Sequence, residues 1–254
     1  MGPREAVSGG EWLYGRNPVE EALAAGRRIC SEIVLPPENP GEDEQIRRIR
    51  DEARSRRIVI RTMDRDRLDR LTRFGHHQGV AVKVSGYPYV ELDEIAAAAA
   101  ADENALVVVL DHMEDPQNVG SVLRTACAVG ATGVVMPVDR ACGVTPAAVR
   151  ASAGGAEHLK IALAVNLPRA MGRLKDAGVW FTGLETGCGA RPYTELDFKG
   201  RVGLVIGAEG SGMSRLVREN CDFLAVLPMP GGFESLNAGV AAAVAMYEIL
   251  RQRG

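Results

Sequence analysis

The sequence predicts an α/β protein of two domains, the second of which is built on a mainly parallel sheet. Six short apolar runs recur after residue 104, and helical patterns with recognisable caps separate most of them. Near-continuous apolar strands that alternate with helices are typical of a parallel sheet buried on both faces. The length of 254 residues also allows two modest domains, each with a core of its own.

Residues 11–84 are the predicted first domain, and residues 1–10 are expected to be a flexible tail. The first helix should begin at Asn17 as its cap, with Pro18 in the first turn and Glu20 completing a capping box, and should end at Gly26. The patterns that follow predict helices over 45–56 and 64–71 and strands over 31–35, 58–60 and 79–84. These elements would make a compact α/β unit.

Residues 85–104 are the expected linker, and residues 105–254 the second domain. The linker contains six consecutive alanines, 96–101, which can form a helix but offer too little side chain to anchor a core. Helices of the second domain should begin at Thr145 and Asn166, while Gly130 and Gly178 end two others. Its strands are predicted over 106–110, 134–136, 159–163, 179–182, 202–206 and 223–227.

Composition excludes several classes of protein. A hydrophobic content of 46% with 25% charged residues argues against wholesale disorder, and no apolar run is long enough for a transmembrane helix. The first ten residues lack the apolar segment of a secretory signal. Five widely spaced cysteines without a C-x-x-C pair argue against a zinc site or a disulfide framework. A cytoplasmic protein without a metal is therefore expected.

The net charge of −3 conceals a basic segment in the first domain. Residues 46–74 carry 11 arginines and 5 acids, a local charge of +6, and no lysine. Such a run is commonly an exposed helix face with i,i+4 ion pairs. Arginine also binds phosphate bidentately and stacks on bases, so an RNA contact is an equally open interpretation. The expected RNA contacts are Arg16, Arg47, Arg48, Arg54, Arg61, Arg73 and His77.

Three strand ends in the second domain carry unusual strings, and ligands of open α/β sheets bind beyond such ends. The first string runs from Asp115 to Thr125. Asn118 is expected to cap the helix that follows, which would place Arg124 on its second turn, where a cation is unfavourable against the helix dipole. An anionic partner such as phosphate would explain that position, whereas the alternative is an ordinary surface arginine.

The second string, residues 206–214, nearly fits a phosphate-binding P-loop, but Met213 stands in place of the lysine. An NTPase is therefore disfavoured. The glycines would let the backbone approach a flat ligand closely, and Glu209 would tolerate a cationic ligand such as a sulfonium. The alternative is a flexible turn between a strand and a helix.

The third string runs from Leu227 to Asn237 into the last helix. Ser235 is the expected cap, so that the Asn237 amide would lie within the helix start beside a glycine-rich loop. Small residues follow over 238–245 and allow another backbone to pack closely.

In this order and spacing the three strings resemble the SpoU (TrmH) family of SPOUT RNA methyltransferases. The resemblance rests on N-x-G-x-x-x-R-T at 118–125, G-x-E-G-x-G at 207–212 and S-L-N at 235–237. Residues 14–19 and 77–80 are also similar to the ribosomal-protein-L30e-like substrate-binding domain of one branch, the 23S rRNA guanosine 2′-O-ribose methyltransferases (RlmB branch). Ala208, and Ala238 with Gly239, depart from residues frequent elsewhere in the family.

The resemblance implies a small L30e-like α/β domain followed by an α/β domain whose chain end forms a deep trefoil knot, a homodimer, and RNA as substrate. It implies S-adenosylmethionine as the cofactor, held by Thr182, Gly183, Gly207, Gly210, Leu227, Met229 and Leu236. It assigns the reaction to Asn118, Arg124, Glu209, Ser235 and Asn237, with no metal. A guanosine of 23S rRNA is the expected target. An rRNA adenosine, tRNA, and a non-catalytic RNA-binding assembly factor remain alternatives.

Overall fold

A computed structural model describes residues 10–187, 189–233 and 235–254, and the chain divides into two compact units. The first unit extends to Pro88 and also includes Val144–His158; the second contains Tyr89–Gly143 and Leu159–Gly254. The predicted second domain, residues 105–254, includes residues 144–158. The segment packs instead in the first unit, where its Glu157 meets the buried Arg28.

The first unit holds a four-stranded sheet in the order β1-β4-β2-β3. Strands β1 and β2 each pair antiparallel with β4, and β2 pairs parallel with β3. The elements in chain order are β1 (Glu11–Tyr14), α1 (Arg16–Ala25), β2 (Cys30–Val34), α2 (Glu44–Ser55), β3 (Val59–Arg61), α3 (Arg65–Leu71) and β4 (Ala81–Val84). All three predicted helices and all three predicted strands are present, and β1 was not predicted.

The cap of the first helix lies two residues earlier than expected, at Gly15 and not at Asn17. Gly15 has φ 95°, which turns the chain sharply out of β1 and into the helix. The Asn17 side chain instead accepts a hydrogen bond from the Gln45 side chain, 2.8 Å away, on the neighbouring helix α2. Gly26, with φ 62°, ends the helix as expected.

The second unit is built on a seven-stranded parallel sheet in the order β7-β6-β5-β10-β8-β11-β9. All six predicted strands are present, and only the two-residue β9 was not foreseen. The remaining elements in chain order are α4 (Leu92–Ala101), β5 (Leu106–Asp111), α5 (Pro116–Ala128), β6 (Gly133–Pro137), α6 (Pro146–Ala151, in the first unit), β7 (Ile161–Ala164), α7 (Leu167–Lys175), β8 (Trp180–Leu184), β9 (Arg191–Pro192), β10 (Val202–Gly207), α8 (Arg215–Glu219), β11 (Phe223–Val226) and α9 (Ala238–Arg253).

The alanine-rich stretch is not a mere linker, because helix α4 buries Ile95, Ala96 and Ala99 in the core of the second unit. Ile95 lies so close to Gly133 that a side chain at Gly133 would come within 2.8 Å of it. Small residues on both elements therefore allow the helix to lie directly against the sheet. The expectation that alanines could not anchor a core was wrong, since close approach compensates for their small side chains.

Among the residues that the structure describes, no helix is both long and apolar enough to cross a membrane. The described residues also hold no cluster of three histidine, cysteine or acidic side chains that could bind a metal ion.

Candidate active site

Four neighbouring strands of the second unit, β5, β10, β8 and β11, end at one edge of the parallel sheet. The strings singled out in the sequence follow three of them, β5, β10 and β11. Because carboxyl ends of parallel strands share an edge, three segments that are distant in the chain meet in one place.

The cap of helix α5 lies three residues before the predicted one. Asp115 is the cap, and its carboxylate accepts hydrogen bonds from the backbone N–H groups of Gln117 (3.2 Å) and Asn118 (3.1 Å). The Asn118 side chain therefore does not cap the helix and can form other hydrogen bonds. The shift also moves Arg124 from the predicted second turn to the third, which is too far from the helix start for the helix dipole to oppose its charge.

The Asn118 side chain is 7% exposed and joins the other two strings. It donates a hydrogen bond to the Glu209 carboxylate at 2.7 Å, and its oxygen accepts one from the Asn237 amide, also at 2.7 Å. A hydrogen bond to a carboxylate is stronger than one between neutral groups. One continuous chain of hydrogen bonds thus connects Asn237, Asn118 and Glu209.

Asn237, and not Ser235, is the cap of the last helix. Its side-chain oxygen accepts from the backbone N–H groups of Gly239 (3.0 Å) and Val240 (3.3 Å). Gly239 lets α9 lie directly on α5, because a Cβ there would come within 2.9 Å of both side-chain atoms of Ser121. This close packing brings Asn237 to Asn118.

The loop after β10 is a tight backbone turn. Ala208 and Gly212 exchange two backbone hydrogen bonds of 3.1 and 2.9 Å, and Gly210 between them has φ 81°. The position of a Cβ on Gly207 is already filled by the backbone of Gly212 and Met213. The absence of a side chain at Gly207 is therefore required by the loop itself, and not only by a ligand.

Two cavities lie on this edge of the sheet and share Ala208, Glu209 and Gly212. The smaller, about 270 Å³, is lined by five of the seven expected cofactor residues and by Ser235. These five are Gly207, Gly210, Leu227, Met229 and Leu236. The larger, about 570 Å³, is lined by Asn118 and by residues that the sequence analysis did not single out, including His112 and Arg140.

Thr182 and Gly183 lie within β8 and do not line either cavity; the residue after them, Leu184, does. Thr182 is 3% exposed. The place of a side chain on Gly183 is occupied by Met213 and Cys221, whose atoms would lie 2.6 to 2.9 Å from its Cβ. Burial also raises the pKa of the Cys221 thiol to about 12, so it stays protonated at neutral pH.

Asp111 at the end of β5 is a residue that sequence reasoning missed. It is fully buried, accepts a hydrogen bond from the backbone N–H of Ser214 at 2.6 Å, and pairs with His112 through its other oxygen. It thereby fixes the start of α8 after the glycine-rich loop. An acid directly after a buried apolar run was a signal that could have found it.

Arg124 does not join this constellation within one chain. Its side chain is exposed, lines neither cavity, and has no ion-pair partner among the described residues. Asn118 and Arg124 are six residues apart on α5, which places them about 120° apart around the helix axis.

Most of the expected RNA contacts in the first unit are already ion-paired. Arg48 contacts Glu20 at 2.9 Å and Arg54 contacts Glu38 at 2.6 Å; Arg16 pairs with Asp43, and Arg61 with Glu32. His77 is 8% exposed and contacts Asp69 at 3.0 Å. Arg47 and Arg73 are exposed and have no acidic partner among the described residues. The geometry thus favours surface ion pairs for much of the basic segment.

The chain matches two family models. The SpoU rRNA Methylase family covers residues 105–247, and the model described as RNA 2′-O ribose methyltransferase substrate binding covers residues 12–90.

Relatives agree with this assignment. The chain is 40% identical over 244 residues to YacO of Bacillus subtilis, named a TrmH family tRNA/rRNA methyltransferase, covering 96% of each chain. It is 41% identical to a tRNA/rRNA methyltransferase of Mycolicibacterium smegmatis, covering 96% of this chain and 77% of the relative. The SpoU methyltransferase AviRb from Streptomyces viridochromogenes in complex with AdoMet (S-adenosylmethionine) superimposes with a TM-score of 0.79 at 26% identity, covering 97% and 91% of the two chains.

The fold is therefore a SPOUT α/β fold with a mainly parallel sheet and a small N-terminal domain, and S-adenosylmethionine is the cofactor of this family. A family model over residues 105–247 and relatives of about 40% identity along the chain lead to one conclusion: this protein belongs to the SpoU (TrmH) family of S-adenosylmethionine-dependent RNA methyltransferases.

Proposed function

We propose that the protein methylates a ribose 2′-hydroxyl of RNA, and that its target is a guanosine of 23S rRNA. The observation that carries the proposal is the hydrogen-bonded chain from Asn237 through Asn118 to Glu209. Glu209 lines both cavities, so methyl donor and acceptor ribose would lie on either side of one oriented carboxylate. The substrate-binding family model over residues 12–90 supports ribose as the acceptor.

The smaller cavity fits the cofactor by the chemistry of its lining. Leu227, Met229 and Leu236 offer apolar surface to an adenine ring, and Glu209 offers negative charge to a cation. S-adenosylmethionine supplies an electrophilic methyl group on a sulfonium, so the protein's task is to orient the attack and to help the hydroxyl lose its proton. Ser235 would shape this side of the site.

Arg124 would act on the acceptor. A guanidinium stays protonated and is a poor base, so Arg124 would bind the phosphate next to the target ribose and donate a hydrogen bond to its 2′-oxygen. A phosphate oxygen or a water would take the proton. Because Arg124 lies outside both cavities of its own chain, we place it in the site of a second copy.

A homodimer through the α5–α9 pair is supported by the exposed surface of α9. Val240, Tyr247 and Leu250 recur on one stripe of that helix and are 48%, 55% and 43% exposed. The opposite side of α9 is buried in the second unit, so the helix is apolar nearly all round. Such a helix is normally covered on every side, and a second copy would cover this stripe.

The target is tested by incubating the protein and radiolabelled S-adenosylmethionine with rRNA and tRNA from cells that lack the gene. Label is expected in 23S rRNA, on the ribose of a single guanosine. Label on an adenosine or in tRNA would replace the proposed target, and label on a base would contradict ribose methylation. Cofactor binding without transfer to either RNA would favour a non-catalytic assembly factor.

The shared site is tested by mixing chains. Arg124→Ala and Asn118→Ala chains should each be inactive, while random heterodimers would carry one complete site in half of the dimers, restoring about one quarter of the activity. The control is a sample that contains only Arg124→Ala chains at the same total concentration. No recovery, together with monomers in sedimentation, would contradict a site shared between two copies.

A further inference from the structure

A cavity of the first unit has no part in the reaction proposed above. It measures about 690 Å³ and lies against β1, the edge strand of the four-stranded sheet. Trp12 and Tyr14 alternate along β1 and therefore project to the same side of the sheet. Both line the cavity, together with Arg73 after α3 and residues 145–147 at the start of α6.

The aromatic wall is held in place from two sides. Gly75 lies directly against the Tyr14 ring, where even a Cβ would not fit. The guanidinium of Arg150 lies over the same ring, 5.9 Å from its centre. Trp12 and Tyr14 both pack on the small core formed by Val34, Leu68 and Ala81. The rings thus present a preformed surface and not a mobile one.

The rim of this cavity carries an unpaired cation. Arg73 is exposed and has no acidic partner among the described residues, whereas Arg48 and Arg54 of α2 are ion-paired. Phe74, the next residue, is 79% exposed with φ 60°. A left-handed conformation is uncommon for a bulky residue and is maintained only where the surrounding structure imposes it. Here it leaves an aromatic ring in solvent beside an arginine.

We propose that this cavity binds an unpaired nucleobase of the RNA substrate, stacked on Trp12 and bordered by Tyr14, with Arg73 on an adjacent phosphate. Proteins bind single-stranded RNA through the same combination of aromatic faces and cations. The volume is in the range of small-molecule sites, and a base held within a duplex cannot enter it. The identity of the ligand rests on the proposed function, which makes RNA the substrate.

Trp12 itself provides the readout. The sequence has two tryptophans, so Trp180→Phe in the second unit leaves Trp12 as the only one. Titration of this full-length variant with a single-stranded RNA octamer, without cofactor, should quench the Trp12 fluorescence saturably. A blunt RNA duplex of the same length should bind at least about 10-fold more weakly, because its bases are already stacked.

Arg73→Ala should weaken binding of the octamer by about 10- to 100-fold, the range for losing a hydrogen bond between charged groups. Arg57→Ala is the matched control. Arg57 is also exposed, also follows a helix end with φ 57°, and precedes β3 at the opposite edge of the same sheet. The Arg57→Ala variant loses the same charge as Arg73→Ala, and its affinity for the octamer should fall less than about 2-fold, the effect of one lost positive charge away from the cavity. Phe74→Ala, at an exposed position, offers a second variant that should fold normally.

Equal losses in Arg73→Ala and Arg57→Ala, or equal quenching by octamer and duplex, would show that the arginines act only as general charge and would overturn the proposal. Absence of quenching by any RNA would overturn it as well and would leave the cavity to another partner. These outcomes are independent of the proposed function, which is judged by methyl transfer and not by Trp12 fluorescence.

Discussion

At the scale of single residues, the site depends on groups that serve the fold and the ligand at once. Asn118 is buried and fully used, since its amide donates to Glu209 and its carbonyl accepts from Asn237. At Gly207 the backbone of its own loop fills the place of a side chain, so the glycine does not leave space for a ligand there. Arg124 is exposed and has no ion-pair partner among the described residues, in keeping with the proposal that it acts in the site of a second copy.

Replacing Arg124 with Ala should leave S-adenosylmethionine affinity within a few-fold and lower the single-turnover methylation rate at least about 100-fold, the low end for a group that assists proton transfer. Lysine should restore little, because it lacks the planar fork that holds a phosphate and a hydroxyl together. Arg169→Ala, also exposed in the second unit, controls for the loss of charge. A wild-type rate in Arg124→Ala would contradict the assigned role.

Two glycines of the same loop should respond differently to alanine. Gly207→Ala would force a Cβ into the backbone of Gly212 and Met213, at a cost of about 3 kcal/mol in unfolding free energy. Gly210→Ala meets no atom within 4 Å and should cost about 1 kcal/mol, only for its φ of 81°. Urea unfolding measures both. Equal stabilities of the two variants would show that the loop can open around Gly207.

At the scale of elements, α9 is the helix that assembles the site. Its Gly239 lies on α5, and its C-terminal turn is fixed by Glu248, which accepts hydrogen bonds from Arg251 and Gln252, each at 2.8 Å. Gln252 in turn accepts from the backbone N–H of Phe198 and donates to the carbonyl of Leu196. The helix is thus anchored at both ends, one of which carries Asn237.

Hydrogen bonds from Arg251 and Gln252 lower the pKa of Glu248 to about 2. A lowered pKa in the folded state means that the carboxylate stabilises the fold above its ordinary pKa and that this contribution disappears as pH falls toward 2. Because Arg251 is largely exposed, we expect Glu248→Gln to lose only about 1 kcal/mol at pH 7.

Unfolding curves of wild type and Glu248→Gln between pH 7 and pH 3 check this expectation. The difference in unfolding free energy should be constant down to about pH 5 and should shrink below it, because wild type becomes protonated as well. Glu219→Gln, which removes an exposed i,i+4 pair with Arg215, serves as control and should change stability little. A difference that grows as the pH falls would contradict the role of Glu248.

At the scale of the whole molecule, the first unit is completed by chain that lies far away in the sequence. Arg28 is 5% exposed and pairs with Glu157 at 2.9 Å and also with Glu11. Burial raises the pKa of Glu157 even though Arg28 opposes the shift. Residues 11–84 alone would therefore keep Glu11 but lack Glu157, the more deeply buried of the two carboxylates that pair with Arg28.

Removing that carboxylate should be far more damaging than removing a surface one. Glu157→Ala leaves the buried Arg28 with only Glu11 as a partner and should cost about 3 kcal/mol, the low end for breaking a buried pair, whereas Glu38→Ala, which breaks the exposed pair with Arg54, should cost less than about 1 kcal/mol. Thermal unfolding of the full chain compares the two. Similar losses would mean that Val144–His158 does not stabilise the first unit through this pair.

The sequence by itself determined the strand and helix order, the three strings at the strand ends, and the family. Local physics is sufficient there, because apolar periodicity, caps such as Asn166 and glycines such as Gly26 act within a few residues. It misplaced the caps at Asn17, Asn118 and Ser235, since several polar residues near each helix start could serve and only the packed structure selects one.

Only the tertiary structure decided which distant residues meet. It joined Asn118 to Glu209 and Asn237, which lie 91 and 119 positions further along the chain. It also placed Val144–His158 in the first unit and buried alanines of α4 in the core of the second. It also showed that most arginines of the basic segment are ion-paired while Arg73 is not. The physical reason is the same throughout: hydrogen bonds, ion pairs and burial depend on distances in space, which a one-dimensional pattern does not contain.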